Sequence, residues 1–394
     1  MGGPAGADAS QAGAATRAGL ATRLVFLVAG FGLACWAPLV PFARQRLGVD
    51  DAALGLLLLC LGIGSVVSML GIGAVCTRFG ARPAILAGGT GMALVLPVLS
   101  FAATPAAMAA ALFVFGAALG ALDASMNVHA VEVERLSGRP MMSGFHALFS
   151  IGGFLGAGVM TVLLAVPLSP SVCAALCSIP MLIAMAVASA RLLRGPGGEA
   201  GAEPGPLLVM PRGVVWLLAF LAAVTFLVEG AMLDWGALLL TGARLVPERF
   251  GGVGYGLFAM AMTAGRLSGD RLAALWGDRA LLRRGGCVSL AGFGLLLSSP
   301  WPVPALAGFV LIGLGAANMV PVLFRRAGAQ RAMPVPLAVS AVTSVGYAGV
   351  LAGPAAVGGI AHAIGLPGAF AVLAALLCTV PLLAGIVAGI GRKA

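Results

Sequence analysis

Charged residues are scarce in this chain. Only 9% of its 394 residues are Asp, Glu, Lys or Arg, whereas soluble globular domains contain roughly 25%. Hydrophobic residues make up 60% of the sequence, and the mean hydropathy is +1.07. This composition excludes an ordinary soluble protein and indicates a polytopic membrane protein.

Catalytic and metal-binding patterns are also missing from the sequence. There is no phosphate-binding glycine loop, no nucleophile with a neighbouring base, no metal-spaced set of Cys and His, and no loop long enough to fold alone. Cys173 and Cys177 lie one helical turn apart, and we interpret them as small buried hydrophobic residues. We therefore expect no enzymatic activity, no cofactor and no metal.

The N-terminal residues lack the apolar core of a signal peptide. They are rich in Ala and Gly, which predicts a short disordered tail over residues 1–22.

Twelve apolar segments follow, and most approach the roughly 20 residues that cross a bilayer as a helix. The fold predicted is all-α, with twelve transmembrane helices. The segment at 285–299 is the weakest, since Arg283, Arg284 and Pro300 crowd its ends, and we expect a short or tilted helix there. The segments lie near residues 24–43, 52–76, 84–103, 106–131, 144–166, 171–190, 214–240, 252–276, 285–299, 303–324, 335–360 and 366–390.

The basic residues predict the orientation of the chain. In a twelve-span trace 18 of the 23 Lys and Arg residues fall on one side, Arg266 lies inside a span, and the other side has only Arg44, Arg46, Arg244 and Arg249. Because cytoplasmic loops carry the excess of positive charge, both termini are predicted to be cytoplasmic. The net charge of +10 thus reflects topology, and nucleic-acid binding is not expected, since no aromatic residues alternate with the basic ones.

The sequence divides into two similar halves. A Gly- and Pro-rich linker at 191–211 separates a six-helix bundle over 23–190 from a second over 212–394. Phe26 to Gly30 and Trp36 in the first bundle match Phe226 to Gly230 and Trp235 in the second. Gly120 and Asn127 likewise match Gly313 and Asn318. In transporters built from such repeats, the solute binds near the midplane and the halves rock against each other.

Carboxylates inside the apolar segments are the candidate proton-coupling groups. Asp123 lies one turn before Asn127 on the same helical face, and placing a charge at this depth costs roughly 2.5–3.5 kcal/mol. The repeat changes Ala29 to Glu229, and it places Asp234 beside Trp235. The alternatives are a structural bridge for Asp123 and an internally hydrogen-bonded polar pocket for Glu229 and Asp234.

Five further residues are candidate solute contacts. Amide and imidazole groups bind hydroxyl groups, and indole rings stack on sugar rings. His146 is equally consistent with a helix cap, and Trp residues are common at membrane interfaces. The candidates are Trp36, Asn127, His146, Trp235 and Asn318.

Twelve spans in two repeats and a basic loop after the second span resemble the major facilitator superfamily. Its loop motif is matched by Arg78, Gly80 and Arg82, although Thr77 stands at the position of the usual acid. In the second half, Asp270-Arg271 supplies an acid, with Arg266 one turn earlier. The resemblance implies roles in gating and topology for these arginines.

The fourth and fifth spans resemble the fucose-permease branch of that superfamily. The matching residues are Gly120, Leu122, Asp123 and Asn127, followed by His146, Ser150 and Gly152, and the flanking sequence is most similar to uncharacterised YbjJ-type inner-membrane proteins. The resemblance implies that Asp123 serves proton coupling and sugar binding. Fucose permeases also carry a first-span carboxylate, which this chain lacks. Coupling has therefore moved to Glu229 or Asp234, or uses one carboxylate, or is not proton driven.

Together these patterns predict a monomeric secondary transporter in the bacterial inner membrane. It would move a small polar solute, such as a sugar or polyol, with protons by alternating access. The alternative is a proton-driven efflux pump for drugs or other hydrophobic or cationic compounds. The sequence leaves the solute and the direction of transport open.

Overall fold

The computed structural model describes residues 4–49, 51–195, 210–243, 245–247 and 253–391. Most of the predicted linker, residues 196–209, lies outside this part of the chain. The same holds for Arg244, Arg249, Arg392 and Lys393, whose predicted places on the membrane sides are therefore not described.

Fourteen α-helices make up the described chain, and these residues form no β-strand. The helices are α1 Pro4–Trp36, α2 Val40–Leu47, α3 Asp51–Phe79, α4 Ala81–Phe101, α5 Pro105–Ser137, α6 Met142–Leu164, α7 Pro170–Ser189, α8 Val214–Asp234, α9 Gly236–Gly242, α10 Val253–Ser298, α11 Pro302–Ala316, α12 Met319–Ala329, α13 Val335–Leu377 and α14 Thr379–Gly389.

Two glycines explain how fourteen helices give twelve membrane spans. Gly277 in α10 has φ 71° and Gly365 in α13 has φ 80°, so each long helix bends sharply there and contains two spans. A side chain would disfavour this left-handed conformation. The short helices α2, α9, α12 and α14 continue the spans that precede them. The prediction of twelve membrane helices is thereby confirmed.

Two sequence-based expectations need correction. Helix α1 begins at Pro4, so residues 4–22 are helical and do not form a disordered tail, consistent with the high helix propensity of their many alanines. The ninth span is also longer than predicted, because the helix runs from residue 278 to residue 298. Its arginines lie within the first turns, where the Arg284 guanidinium stacks 4.4 Å from the centre of the Trp276 ring.

The chain forms two compact units. The first contains Met1–Met141, Phe145–Met210 and Met333–Ser344, and the second contains Met142–Gly144, Pro211–Ala332 and Val345–Ala394. The main boundary falls at the end of the predicted linker. Two short segments, Met142–Gly144 and Met333–Ser344, belong to the unit built mainly from the other half of the sequence.

Glycines allow close helix packing inside each unit. In the first, a Cβ atom at Gly152 or Gly156 of α6 would collide with the main chain of α1 at Leu27 or Phe31. In the second, a Cβ atom at Gly349 of α13 would lie 2.8 Å from the main-chain oxygen of Ala223 of α8. Gly152 and Gly156 follow the Gly-x-x-x-Gly spacing that permits close helix contact, and the eleventh span also packs closely at Gly349.

Candidate functional site

Asp123 and Asn127 are both buried in the middle of α5. The side-chain Nδ2 of Asn127 donates to the main-chain oxygen of Asp123 over 2.9 Å. This bond orients the amide, since the flipped amide would bring two oxygens together. It leaves Oδ1 of Asn127 buried without a hydrogen-bond partner among the described residues. Asn127 therefore offers an acceptor, and one donor of its amide is bonded to its own helix.

Trp36 ends α1 at the start of a short 3-10 turn, where Pro38 interrupts the helical hydrogen bonds. Its side chain is buried, and within the described chain its Nε1 has no hydrogen-bond partner. The first unit therefore contains one unsatisfied donor as well as one unsatisfied acceptor.

His146 lies in the first turns of α6. Its ring packs edge-on against Phe26, with the ring centroids 5.2 Å apart. Phe145 stacks on the same Phe26 ring at 5.6 Å. The structure thus places His146 against the first span, in the first unit.

Asn318 occupies a break in the tenth span, between α11 and α12. The cause is visible in the sequence. Pro321 has no N–H with which to bond the carbonyl group of Ala317, four residues earlier. The Nδ2 atom of Asn318 donates to the main-chain oxygen of Gly265 over 3.0 Å. Its Oδ1 is buried, and in the part of the chain that the structure describes it has no partner.

Trp235 stands at the junction of α8 and α9, as Trp36 stands after α1. Its Nε1 is likewise buried without a partner in the described ranges. Each unit therefore carries one indole donor and one amide acceptor left unsatisfied, at positions that the repeat matches. A buried polar group without a partner costs about 1–3 kcal/mol, and four of the five predicted solute contacts carry such an atom.

Glu229 is also in the second unit, on α8. Its Oε1 atom lies 3.4 Å from Nη2 of Arg266 on α10. Arg266 also donates through Nε to the carbonyl oxygen of Ala317 over 3.3 Å, at the break beside Asn318. Asp234, at the end of α8, is exposed.

The residues of the loop motif lie where α3 ends and α4 begins. Gly80 has φ 79° at the start of α4, and Arg82 donates through Nε to the carbonyl oxygen of Ser189 at the end of α7 over 3.0 Å. Arg78 packs over the ring of Phe79. Thr77, at the position of the usual acid, donates to the carbonyl oxygen of Gly73.

Asp270 caps the beginning of α6. Its carboxylate accepts the main-chain N–H groups of Ser143 at 2.9 Å and Gly144 at 2.7 Å, which belong to the same compact unit. The neighbouring Arg271 is exposed. Arg266 lies one turn deeper in the span, in contact with Glu229, so the structure separates it from these two residues.

Asp278 is a functional candidate that the sequence analysis missed. Its carboxylate binds Nη1 of Arg325 at 2.5 Å and Nε of Arg326 at 2.6 Å. The signal was present in the repeat, because Gly277-Asp278-Arg279 corresponds to Gly80-Ala81-Arg82, with the same glycine bend. When the two halves of the sequence are aligned on these glycines, Asp270 matches Gly73 and does not match Thr77.

The family model described as Major Facilitator Superfamily matches residues 24–331. The chain belongs to the Major Facilitator Superfamily. An uncharacterised transporter of this superfamily from Yersinia pestis is 49% identical over 363 residues, covering 92% of this chain and 93% of the relative.

Solved structures of superfamily members share the fold. The human organic anion transporter MFSD10 has a TM-score of 0.75 and 16% identity, covering 94% of this chain and 99% of that one. The Escherichia coli fucose:proton symporter FucP has a TM-score of 0.71 and 16% identity, covering 94% and 98%. Sequence identities this low show only that the folds are alike.

Proposed function

We propose that this superfamily member is a secondary transporter of a small, hydroxylated polar solute, coupled to protons and working by alternating access. The observation that carries the proposal is the set of four unsatisfied buried polar atoms, Nε1 of Trp36 and Trp235 and Oδ1 of Asn127 and Asn318. A hydroxyl group both donates and accepts, so a polyhydroxylated solute satisfies both kinds of atom.

Proton coupling is assigned to Asp123, Glu229 and Asp234 in this proposal. Asp123 is buried on α5, one turn from the unsatisfied oxygen of Asn127, so its protonation state bears directly on solute binding. His146 completes the proposed contacts of the first unit. Arg78, Gly80, Arg82, Asp270 and Arg271 are proposed to control the conformational change, with both termini in the cytoplasm of a bacterial cell and the protein working as a monomer.

The relatives support the transport class. The Yersinia protein and both solved structures are named as transporters, and FucP is a fucose:proton symporter. Transport without a chemical reaction on the solute is therefore the proposed activity.

The test is uptake into proteoliposomes of a pooled panel of labelled sugars, polyols and sugar derivatives, for the wild type and Asp123→Asn. Uptake that follows an imposed pH gradient in the wild type, with exchange but no gradient-driven accumulation in the variant, supports the proposal. Absence of uptake for the whole panel, together with pH-dependent extrusion of lipophilic cations, would reject it in favour of efflux.

A further inference from the structure

A groove on the surface of the first unit combines basic and apolar side chains. It has a volume of about 460 Å³ and lies between α1, α6 and the end of α7. Arg23 and Arg191 are its charged lining residues, and no acidic side chain of the described chain lines it. The other lining residues are Leu, Ala and Val. This first groove therefore offers two positive charges and an otherwise apolar wall.

Neither arginine of the first groove has a counter-ion. The Arg23 guanidinium packs over the Phe145 ring, 5.9 Å from its centre. Nη1 of Arg191 donates to the carbonyl oxygen of Val187, one turn earlier in the chain, over 3.3 Å. Neither side chain forms an ion pair with any residue that the structure describes. Two positive charges beside one groove without an acid attract an anion.

The arginines of the first groove lie nearer the membrane surface than much of its apolar wall. Arg23 is in the first turns of the first span, and Arg191 follows the end of α7. Leu27 lies one turn deeper than Arg23, and Val187 lies one turn deeper than Arg191. Leu20 is 56% exposed and Val187 is 45% exposed. Apolar side chains exposed on a membrane span contact the acyl chains of lipids, which are as apolar as leucine.

The second unit has a groove of the same kind, with a volume of about 470 Å³, between the ninth span and α14. Its charged lining residues are Arg279 and Arg283, which are exposed and lie one turn apart at the start of the ninth span. Neither forms an ion pair within the described ranges. Leu290 lines the groove deeper in the span, and Leu382 of α14 is 77% exposed.

An anionic phospholipid matches both parts of each groove. The four arginines belong to the basic residues that the twelve-span trace predicts to be cytoplasmic. The cytoplasmic leaflet carries anionic lipids, and basic pockets between membrane spans on this side bind their headgroups. A guanidinium fork bonds two oxygens of one phosphate group. A soluble phosphate would use only the arginines and leave the apolar wall uncovered.

We infer that each unit binds one anionic phospholipid, whose phosphate contacts the arginine pair and whose acyl chains lie along the apolar wall of the groove. These lipid sites are separate from the proposed solute contacts, none of which lines either groove. A ligand that binds only the folded protein stabilises it, so the lipid should also raise the melting temperature.

The experiment is native mass spectrometry of the purified protein in detergent, titrated with phosphatidylglycerol or with phosphatidylcholine of the same acyl chains. The wild type should bind two phosphatidylglycerol molecules about tenfold more tightly than phosphatidylcholine, because each arginine near an anionic headgroup favours binding roughly fivefold. Phosphatidylglycerol should also raise the melting temperature more than phosphatidylcholine does. Glycerol phosphate, which lacks acyl chains, should not displace the lipid at equal concentration.

Two double variants assign the bound lipids to the grooves. Replacing Arg23 and Arg191 with Gln should leave one tightly bound phosphatidylglycerol, in the second unit. Replacing Arg279 and Arg283 with Gln should leave one in the first unit. The variant with all four replacements should bind phosphatidylglycerol no more tightly than phosphatidylcholine. Thermal unfolding in lipid-free detergent checks that each variant is folded.

A charge-matched control removes two exposed arginines that line neither groove, Arg139→Gln with Arg284→Gln, and should keep both lipids. Equal binding of the two lipids, displacement by glycerol phosphate, or unchanged phosphatidylglycerol binding in the fourfold variant would each overturn the inference. So would an equal loss of binding in the charge-matched control, since net charge alone would then explain it. Loss of a lipid in one double variant alone would retain the site in that unit and overturn it in the other.

Discussion

The Nδ1 atom of His129 lies 3.0 Å from the hydroxyl oxygen of Thr22, and this contact determines the tautomer of the ring. The hydroxyl proton of Thr22 is already donated to the carbonyl oxygen of Ala18. Nδ1 must therefore carry the ring hydrogen and donate it. The other nitrogen, Nε2, accepts the main-chain N–H of Leu193 at 3.0 Å. The buried ring joins three segments of the first unit and has no site for a second proton.

Acid should therefore weaken the first unit through His129. A proton on Nε2 breaks the bond from Leu193, which costs about 1–3 kcal/mol for a buried group. The melting temperature in detergent should fall when the pH is lowered from about 7.5 to about 5.5. In His129→Gln, whose amide oxygen can accept the same N–H, this fall should be smaller. The exposed His362→Gln serves as the control. An equal fall in all three proteins would contradict the prediction.

Replacing Asn127 with Leu should separate stability from transport. Leu keeps the branched shape of Asn and removes an unsatisfied acceptor that costs about 1–3 kcal/mol, so the melting temperature should rise or stay the same. Transport should fall at least tenfold. Ser125→Ala on the same helix, whose hydroxyl bonds only to its own helix, should alter neither quantity. A transport-competent Asn127→Leu would remove this residue from the proposed contacts.

Two glycines on α6 provide a matched test of helix packing. A Cβ atom at Gly156 meets the main chain of Phe31, whereas a Cβ atom at Gly158 has no atom within 4 Å. Gly156→Ala should therefore destabilise the protein by about 1–3 kcal/mol, the usual cost of overpacking. Gly158→Ala should be neutral or slightly stabilising. Thermal unfolding in detergent measures both, and equal melting temperatures would show that α1 and α6 adjust freely.

The Asp278 cluster should contribute far more to stability than an exposed ion pair. Asp278 is buried, and its arginine partners are less than 20% exposed. Asp278→Asn should cost roughly 2–4 kcal/mol, because two arginines lose their counter-ion. Glu132→Gln breaks the exposed pair with Arg135 and should cost about 0.5 kcal/mol or less. Comparable losses in the two variants would argue against the assigned role of Asp278.

The sequence alone predicted the number of spans and the matched residues of the repeat. Hydropathy is a local property, and a duplication leaves the same residue types at regular offsets. Trp36 was paired with Trp235 in this way, and Asn127 with Asn318. In the structure both Trp residues have an unsatisfied Nε1 atom, and both Asn residues have an unsatisfied Oδ1 atom.

Contacts between distant residues were not predictable in the same way. Arg266 was grouped with Asp270 and Arg271 because they are neighbours in sequence. It lies eleven residues before the bend at Gly277, roughly 16 Å along a helix, where Glu229 comes within reach. His129 meets Thr22 across 107 residues of chain, and nothing in its local sequence indicates that bond. Pro321 is a sequence signal for the break at Asn318, but the hydropathy of the tenth span showed only one continuous apolar segment.

The two short segments that belong to the unit of the other half bear on how the chain can be divided into fragments. Residues Met333–Ser344 belong to the first unit, and Met142–Gly144 belong to the second. Cutting the gene in the linker would therefore yield two fragments, each missing a piece of its own compact body. Neither fragment would therefore contain all the residues of one compact unit.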